Sequence, residues 1–307
     1  NISDAQIQSQ ITVLNNDFRK LNTDWSSTPS VFQSLVADAE VQFCLAQRDP
    51  SGNSTTGIIR KSTTTTSFTT NDNMKYSSKG GDDAWDKNSY LNLWVCNISG
   101  GILGYAQFPG GAAATDGVVI DDNAFGSTGT VTAPYNKGRT TTHELGHWLG
   151  LRHIWGDQSC GTDYCNDTPT SADANYGCPT GQNTCPDAGI DMIENYMDYS
   201  YCSKMYTPGQ VDRMRTALQV TTTGRFNVWQ PANLIATGAT NNFYLCKAEF
   251  TTDRTTICAG DSIQLIDDTY NAVTGWNWEI TPASGWSFSP NSSATSQNPT
   301  INFTQTG

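Results

Sequence analysis

The chain has 307 residues, 36% of them hydrophobic and only 15% charged, with a net charge of −12 at pH 7. That length allows one large or two moderate domains, and the Ser-, Thr-, Asn- and Gly-rich remainder reads as a secreted, β-rich, loop-rich protein. The acidic balance excludes a nucleic-acid partner, which needs a basic footprint. No apolar run reaches the roughly 20 residues that span a bilayer. No signal peptide opens the sequence, so the chain reads as a mature or trimmed form, and a removed pro-segment is expected.

In chain order, Ile7, Ile11, Leu14, Phe18 and Leu21 recur every three or four residues, which predicts a helix over 4–21 with Ser3 as N-cap. A short helix follows near Ser30–Val36. Val41–Ala46 reads as a strand, and the Ser/Thr-rich run Ser62–Thr70 as a loop or exposed hairpin. Leu91–Cys96, Leu103–Phe108 and Gly117–Ile120 read as strands, with Leu103–Phe108 at an edge. A helix is expected over Lys137–Leu149 and another over Pro208–Gln219, capped by Thr207 with Pro208 in its first turn. Past residue 225 the texture changes. Residues 230–245 are polar and turn-rich, and Ser262–Ile266, Trp276–Ile280 and Thr300–Phe303 read as short strands.

The chemistry concentrates in one place. All three histidines of the chain, His143, His147 and His153, fall in the stretch His-Glu-Leu-Gly-His-Trp-Leu-Gly-Leu-Arg-His. His143 and His147 are four apart, so a helix sets them on one face, one turn apart, where both imidazoles can grip one zinc ion. Glu144 can reach a water on that metal. Gly150 accepts the left-handed conformation that ends a helix, and the chain returns His153 as a third ligand. Three protein ligands leave one tetrahedral position open, the mark of a catalytic site. The reaction expected is hydrolysis by a zinc-bound water, with Glu144 moving the proton.

With these residues the chain resembles the metzincin metalloproteases, whose extended zinc signature it carries. Gly101–Pro109, His147–Asp157, Asp167–Pro169, Tyr176–Pro179 and Asn195–Tyr199 narrow the resemblance to the pappalysin family and its bacterial cytophagalysin branch, over roughly residues 1–225. The resemblance implies that Met197 forms the Met-turn floor beneath the ligands. It implies that Tyr199 donates a hydrogen bond to the tetrahedral intermediate, and that an extended substrate pairs with the edge strand. An ordinary core Met and a half-buried core Tyr are the plainer alternatives. It also implies structural calcium in the loop Asp163–Pro169, held by Asp163, Thr168 and a backbone carbonyl near Cys165; a solvated acidic turn is the alternative. Relatives prefer Arg after the cleaved bond through an acidic residue shortly after the Met-turn Tyr, whereas Tyr199-Ser-Tyr-Cys202 here lacks it.

Nine cysteines favour an oxidising compartment, and five of them lie between Cys160 and Cys202. The resemblance suggests Cys160–Cys185 and Cys178–Cys202, with Cys165 able to replace Cys160. Cys44 and Cys96 could pair or stay free, and Cys246 and Cys258 would close a small loop. The whole reads as α+β. A two-lobed metzincin catalytic domain is expected over 1–228 and a linker over 229–245; Ala248–Phe250, Cys258–Ser262 and Gly275–Trp278 resemble a PKD-type β-sandwich module, which implies an incomplete module of that kind over 246–307. The function expected is that of a secreted, monomeric zinc endopeptidase acting on protein or peptide. The rival is a secreted binding or adhesion protein whose C-terminal module, with Trp276, Trp278 or Trp286 exposed, carries the main role.

Overall fold

The computed structural model describes residues 2–186, 189–239, 250–267 and 275–304, and the chain divides into two units, Asn1–Ala239 and Thr240–Gly307. The boundary lies past the expected domain end at 228. Within the expected linker, Pro231–Ala236 is a short helix (α6) with Pro at its first turn, and Cys246 lies outside the described residues.

The first unit opens with α1 (Asp4–Phe18), capped by the Ser3 side chain accepting from Gln6 N–H. The apolar stripe is only part of what α1 buries. Leu14 and Phe18 enter the core, while Leu21 lies beyond the helix and is 62% exposed. The polar residues Gln6, Gln10 and Asp17 are buried alongside them. Gln10 accepts from Gly126 N–H and the Thr141 hydroxyl and donates to Gly138 O, and Asp17 accepts from the Thr142 hydroxyl at 2.8 Å. α1 is thereby bonded to the segment that begins the histidine-bearing helix. A one-turn α2 covers Ser30–Gln33. Val41–Ala46 is not a strand: Phe43 exchanges both its backbone bonds with the Asn15 side chain of α1.

Three strands form one sheet, β1 (Leu93–Cys96), β2 (Gly104–Ala106) and β3 (Val118–Asp121), in the order β1-β3-β2. β3 is central and buried throughout, parallel to β1 and antiparallel to β2. β2 is therefore an edge, as expected. The sheet packs on α3 (Arg139–Trp148), with Val118, Ile120, Leu145, Trp148 and Leu149 in one core. The second half is mostly irregular up to α4 (Pro208–Gln219) and α5 (Arg225–Val228). α4 has the expected limits because Thr207 and Gln210 form a reciprocal capping box at its start.

In the second unit, β4 (Phe250–Thr252), β5 (Ser262–Asp267), β6 (Trp286–Phe288) and β7 (Thr300–Phe303) make an antiparallel sheet in the order β4-β5-β7-β6. Trp276–Ile280 is not a strand; its Trp276 and Trp278 indoles donate to Asp267 and Ser296 O instead. All three tryptophans are half-buried, and Trp286 also donates within the unit, to Pro282 O.

Candidate active site and metal centre

α3 begins at Gly138, whose left-handed backbone (φ 72°) turns the chain into the helix. One turn apart on its buried face stand His143 and His147. The helix ends in a Schellman turn: Leu151 N–H donates to Gly146 O and Gly150 N–H to His147 O, with Gly150 left-handed at φ 92°. The turn sends His153 back toward the helix. The Nε2 atoms then converge, 3.1 Å between His143 and His147 and 3.0 Å between His147 and His153. Each ring's other nitrogen is tied off. His143 Nδ1 meets Tyr196 O at 2.7 Å, His147 Nδ1 meets Leu151 O at 2.8 Å, and His153 Nδ1 meets the Asp157 carboxylate at 2.5 Å. These acceptors require the proton on Nδ1, so three Nε2 lone pairs face one another with no hydrogen between them. Burial is the main reason all three imidazoles hold their protons weakly, and it takes His147 down to about 4. A buried cluster of converging lone pairs suits a cation, and three neutral imidazoles suit zinc.

Glu144 is buried beside the cluster, and desolvation pushes its carboxyl up to about 8. Edge strand β2 passes directly over it: a Cβ on Gly104 would lie 3.1 Å from Glu144 Cγ. Below, the Met197 sulfur sits so close to Gly146 that a Cβ there would be 2.4 Å away. Met197 is fully buried, and Ile154 N–H donates to its carbonyl. The Tyr199 ring stands 5.4 Å from His143 and 5.0 Å from His153, with 41% of the residue exposed. Burial, then the neighbouring Glu144, raises its phenol to about 12, so it is a donor at neutral pH. The structure thus brings Glu144, Tyr199, Gly150 and Met197 together around the three histidines.

Several neighbours escaped the sequence reading. Trp155 stacks on His153 at 4.2 Å, and Phe108, 44% exposed, lies 5.2 Å from the His147 ring. Asp157 carried a readable signal, a carboxylate four residues after His153. Asp198 fixes Tyr199 by accepting its N–H and that of Asn175.

The irregular segment beyond is closed by disulfides Cys160–Cys185 and Cys178–Cys202. Among the described residues, Cys44, Cys96, Cys165 and Cys258 are in no disulfide. Asp163 and Thr168 are buried together. Thr168 Oγ1 lies 2.8 and 2.9 Å from the two Asp163 oxygens and 2.7 Å from Cys165 O, and Cys165 N–H donates to Asp163. One hydroxyl proton cannot serve three acceptors, so this pocket holds surplus oxygen lone pairs.

Residues 74–219 match the peptidase family M43, described as pregnancy-associated plasma protein-A. An extracellular metalloprotease of Arthroderma benhamiae is 34% identical over 230 residues, 70% of each chain, and one of Arthroderma gypseum is 35% identical over 233 residues, 71% of this chain and 67% of the relative. Among solved structures, mature mirolysin of Tannerella forsythia with a cleaved peptide superposes with a TM-score of 0.73 at 48% identity, covering 77% of this chain and 92% of that one. Mirolysin in complex with compound 9 gives 0.72 at 49% identity and the same coverage. The chain belongs to the pappalysin (M43) family of metzincins and is a metalloendopeptidase.

Proposed function

We propose that this chain is a secreted endopeptidase in which His143, His147 and His153 hold zinc and Glu144 moves the proton of hydrolysis. The observation that carries the reading is the convergence of three Nε2 lone pairs, two of them on buried rings, each ring oriented from its far side. When bound, zinc lowers the pKa of a water and polarises the scissile carbonyl. Glu144 is buried within the same enclosure, where its carboxylate can take a proton from water and hand it to the leaving amine. Tyr199 donates its hydroxyl hydrogen to the oxygen that gains charge.

Substrate alignment follows from the edge strand. Leu103 O and Gln107 N–H are bonded to β3, so ladder alternation turns the N–H and C=O of Gly104 and Ala106 to the open edge. An extended peptide pairing there lies over Glu144. Secretion is supported by the extracellular designation of the relatives and by the two disulfides; no helix among the described residues is long and apolar enough to cross a membrane. Calcium in the Asp163–Cys165–Thr168 pocket is part of the same proposal, because its surplus oxygens match that ion's preference. We further propose a monomer, with residues 1–239 as the catalytic part.

Removal of metal by a zinc chelator should abolish casein cleavage, and one equivalent of zinc should restore it. Cleavage at the parent rate by metal-free protein would overturn the reading. For calcium, a calcium-selective chelator should lower the melting temperature with zinc still bound, and an unchanged melting temperature would contradict that site.

A further inference from the structure

We infer that Tyr135, Tyr176, Tyr199 and Tyr201 wall the subsite for the substrate residue that follows the scissile bond, and that this subsite selects an uncharged aromatic or aliphatic side chain. The inference rests on the peptidase reading above and narrows its substrate.

The polarity of the cleft locates the subsite. Along β2, Gly104 lies against Glu144, while Phe108 beyond the strand's end lies at His147. β2 and α3 therefore run the same way past the site. A short peptide adding to an edge pairs better antiparallel than parallel. Its residues after the scissile bond then lie toward the N-terminal end of α3. That end is preceded by Tyr135, whose ring meets Tyr201 edge-on at 5.7 Å. The wall continues inward. Tyr176 lies 5.9 Å from Tyr199, and Tyr199 touches two of the histidines.

The wall is built rather than incidental. Tyr201 N–H donates to Gly177 O at 2.8 Å, and the Cys178–Cys202 disulfide fastens the same two segments side by side. Yet Tyr176, Tyr199 and Tyr201 are 68%, 41% and 37% exposed. Four aromatic rings held open beside a reaction centre need an apolar occupant to cover them. Charge decides against an ionic one. Tyr135 and Tyr201 meet edge-on and present phenols rather than charged groups. Asp157 is committed to His153, and Asp198 is buried, with one oxygen taking two backbone N–H groups and the other shut away from solvent. The Lys137 ammonium sits at Tyr201 O, where it repels a basic side chain. The negative faces of the tyrosine rings repel an acidic side chain, and the Lys137 ammonium is engaged by the Tyr201 carbonyl.

The test is the cleavage-site profile of the zinc-loaded full chain on a proteome-derived peptide library, followed by kcat/KM on peptides varied only after the scissile bond. Phe, Tyr and Leu should be enriched there, with Phe exceeding Arg, Lys and Asp by about tenfold or more. In Tyr201→Ala and Tyr135→Ala the Phe-over-Ala ratio should fall by about tenfold. Enrichment of Arg and Lys, or of Asp and Glu, or a flat profile, overturns the inference, as do unchanged ratios in both variants. Should either variant fail to fold, the wild-type profile alone decides. Cleavage of no peptide at all would instead sink the peptidase mechanism, so the two failures are distinguishable.

Discussion

Two glycines show how closely the site is fitted at the level of single residues. Gly104 leaves room for Glu144, and an added Cβ would meet Glu144 Cγ at 3.1 Å and Val119 O at 2.9 Å. Gly104→Ala should displace Glu144 or the edge strand without disturbing the histidines. The expected outcome is a kcat reduced by about 10- to 100-fold at unchanged zinc content; steady-state kinetics beside metal analysis would check both halves. Gly146 faces Met197, and Gly146→Ala drives a methyl to 2.4 Å from the sulfur. Overpacking of this kind costs about 1–3 kcal/mol, so a lowered denaturation midpoint is expected. The histidines, Glu144 and Gly150 were legible because a helix converts spacing into direction. Gly104, Tyr135 and Tyr201 were not, because they come near only through the sheet edge, the approach to α3 and the segment after the Met-turn, which no local spacing encodes.

At the level of elements, polar contacts decided what periodicity could not. α4 was readable to the residue because its capping box is a local device. Val41–Ala46 has a strand's composition but spends its bonds on Asn15, and Trp276–Ile280 spends its indoles on loop acceptors. Likewise α1 is held to α3 by a fully buried amide. Gln10→Ala would strip partners from Gly126 N–H, the Thr141 hydroxyl and Gly138 O at once. A loss of about 2–4 kcal/mol in chemical denaturation is expected. The N-terminal end of α3 is also fixed by charge. Partial burial works against ionisation of Asp24, but its bonds from Arg139 and Asn22 prevail and hold the carboxyl at about 2. A depressed carboxyl contributes stability above its unfolded pKa of about 4, and that contribution is lost as pH falls toward 2. Asp24→Asn should flatten that part of an acid-unfolding profile; an unchanged profile would show that the pair is solvent-screened.

On the scale of the whole catalytic unit, an ordered first half supports a loop-rich second half. The sheet, α1 and α3 share one core, whereas the segment after His153 depends on two disulfides spanning 25 and 24 residues. Loops of that size are worth about 3 kcal/mol per crosslink, so reduction should lower the melting temperature and impair cleavage. The C-terminal end of the unit is fastened differently. Arg225 is fully buried, paired with Asp116, stacked on Trp148 at 4.1 Å and bonded to the Trp148 and Gln107 carbonyls. It ties α5 to the end of α3 and to the segment after β2. The most direct test of the central claim, a three-histidine zinc site worked by Glu144, is Glu144→Ala assayed for zinc and for casein cleavage in one preparation. One equivalent of bound zinc with cleavage reduced by at least about a hundredfold is the expected result. Cleavage near the parent rate, with zinc still bound, would contradict it.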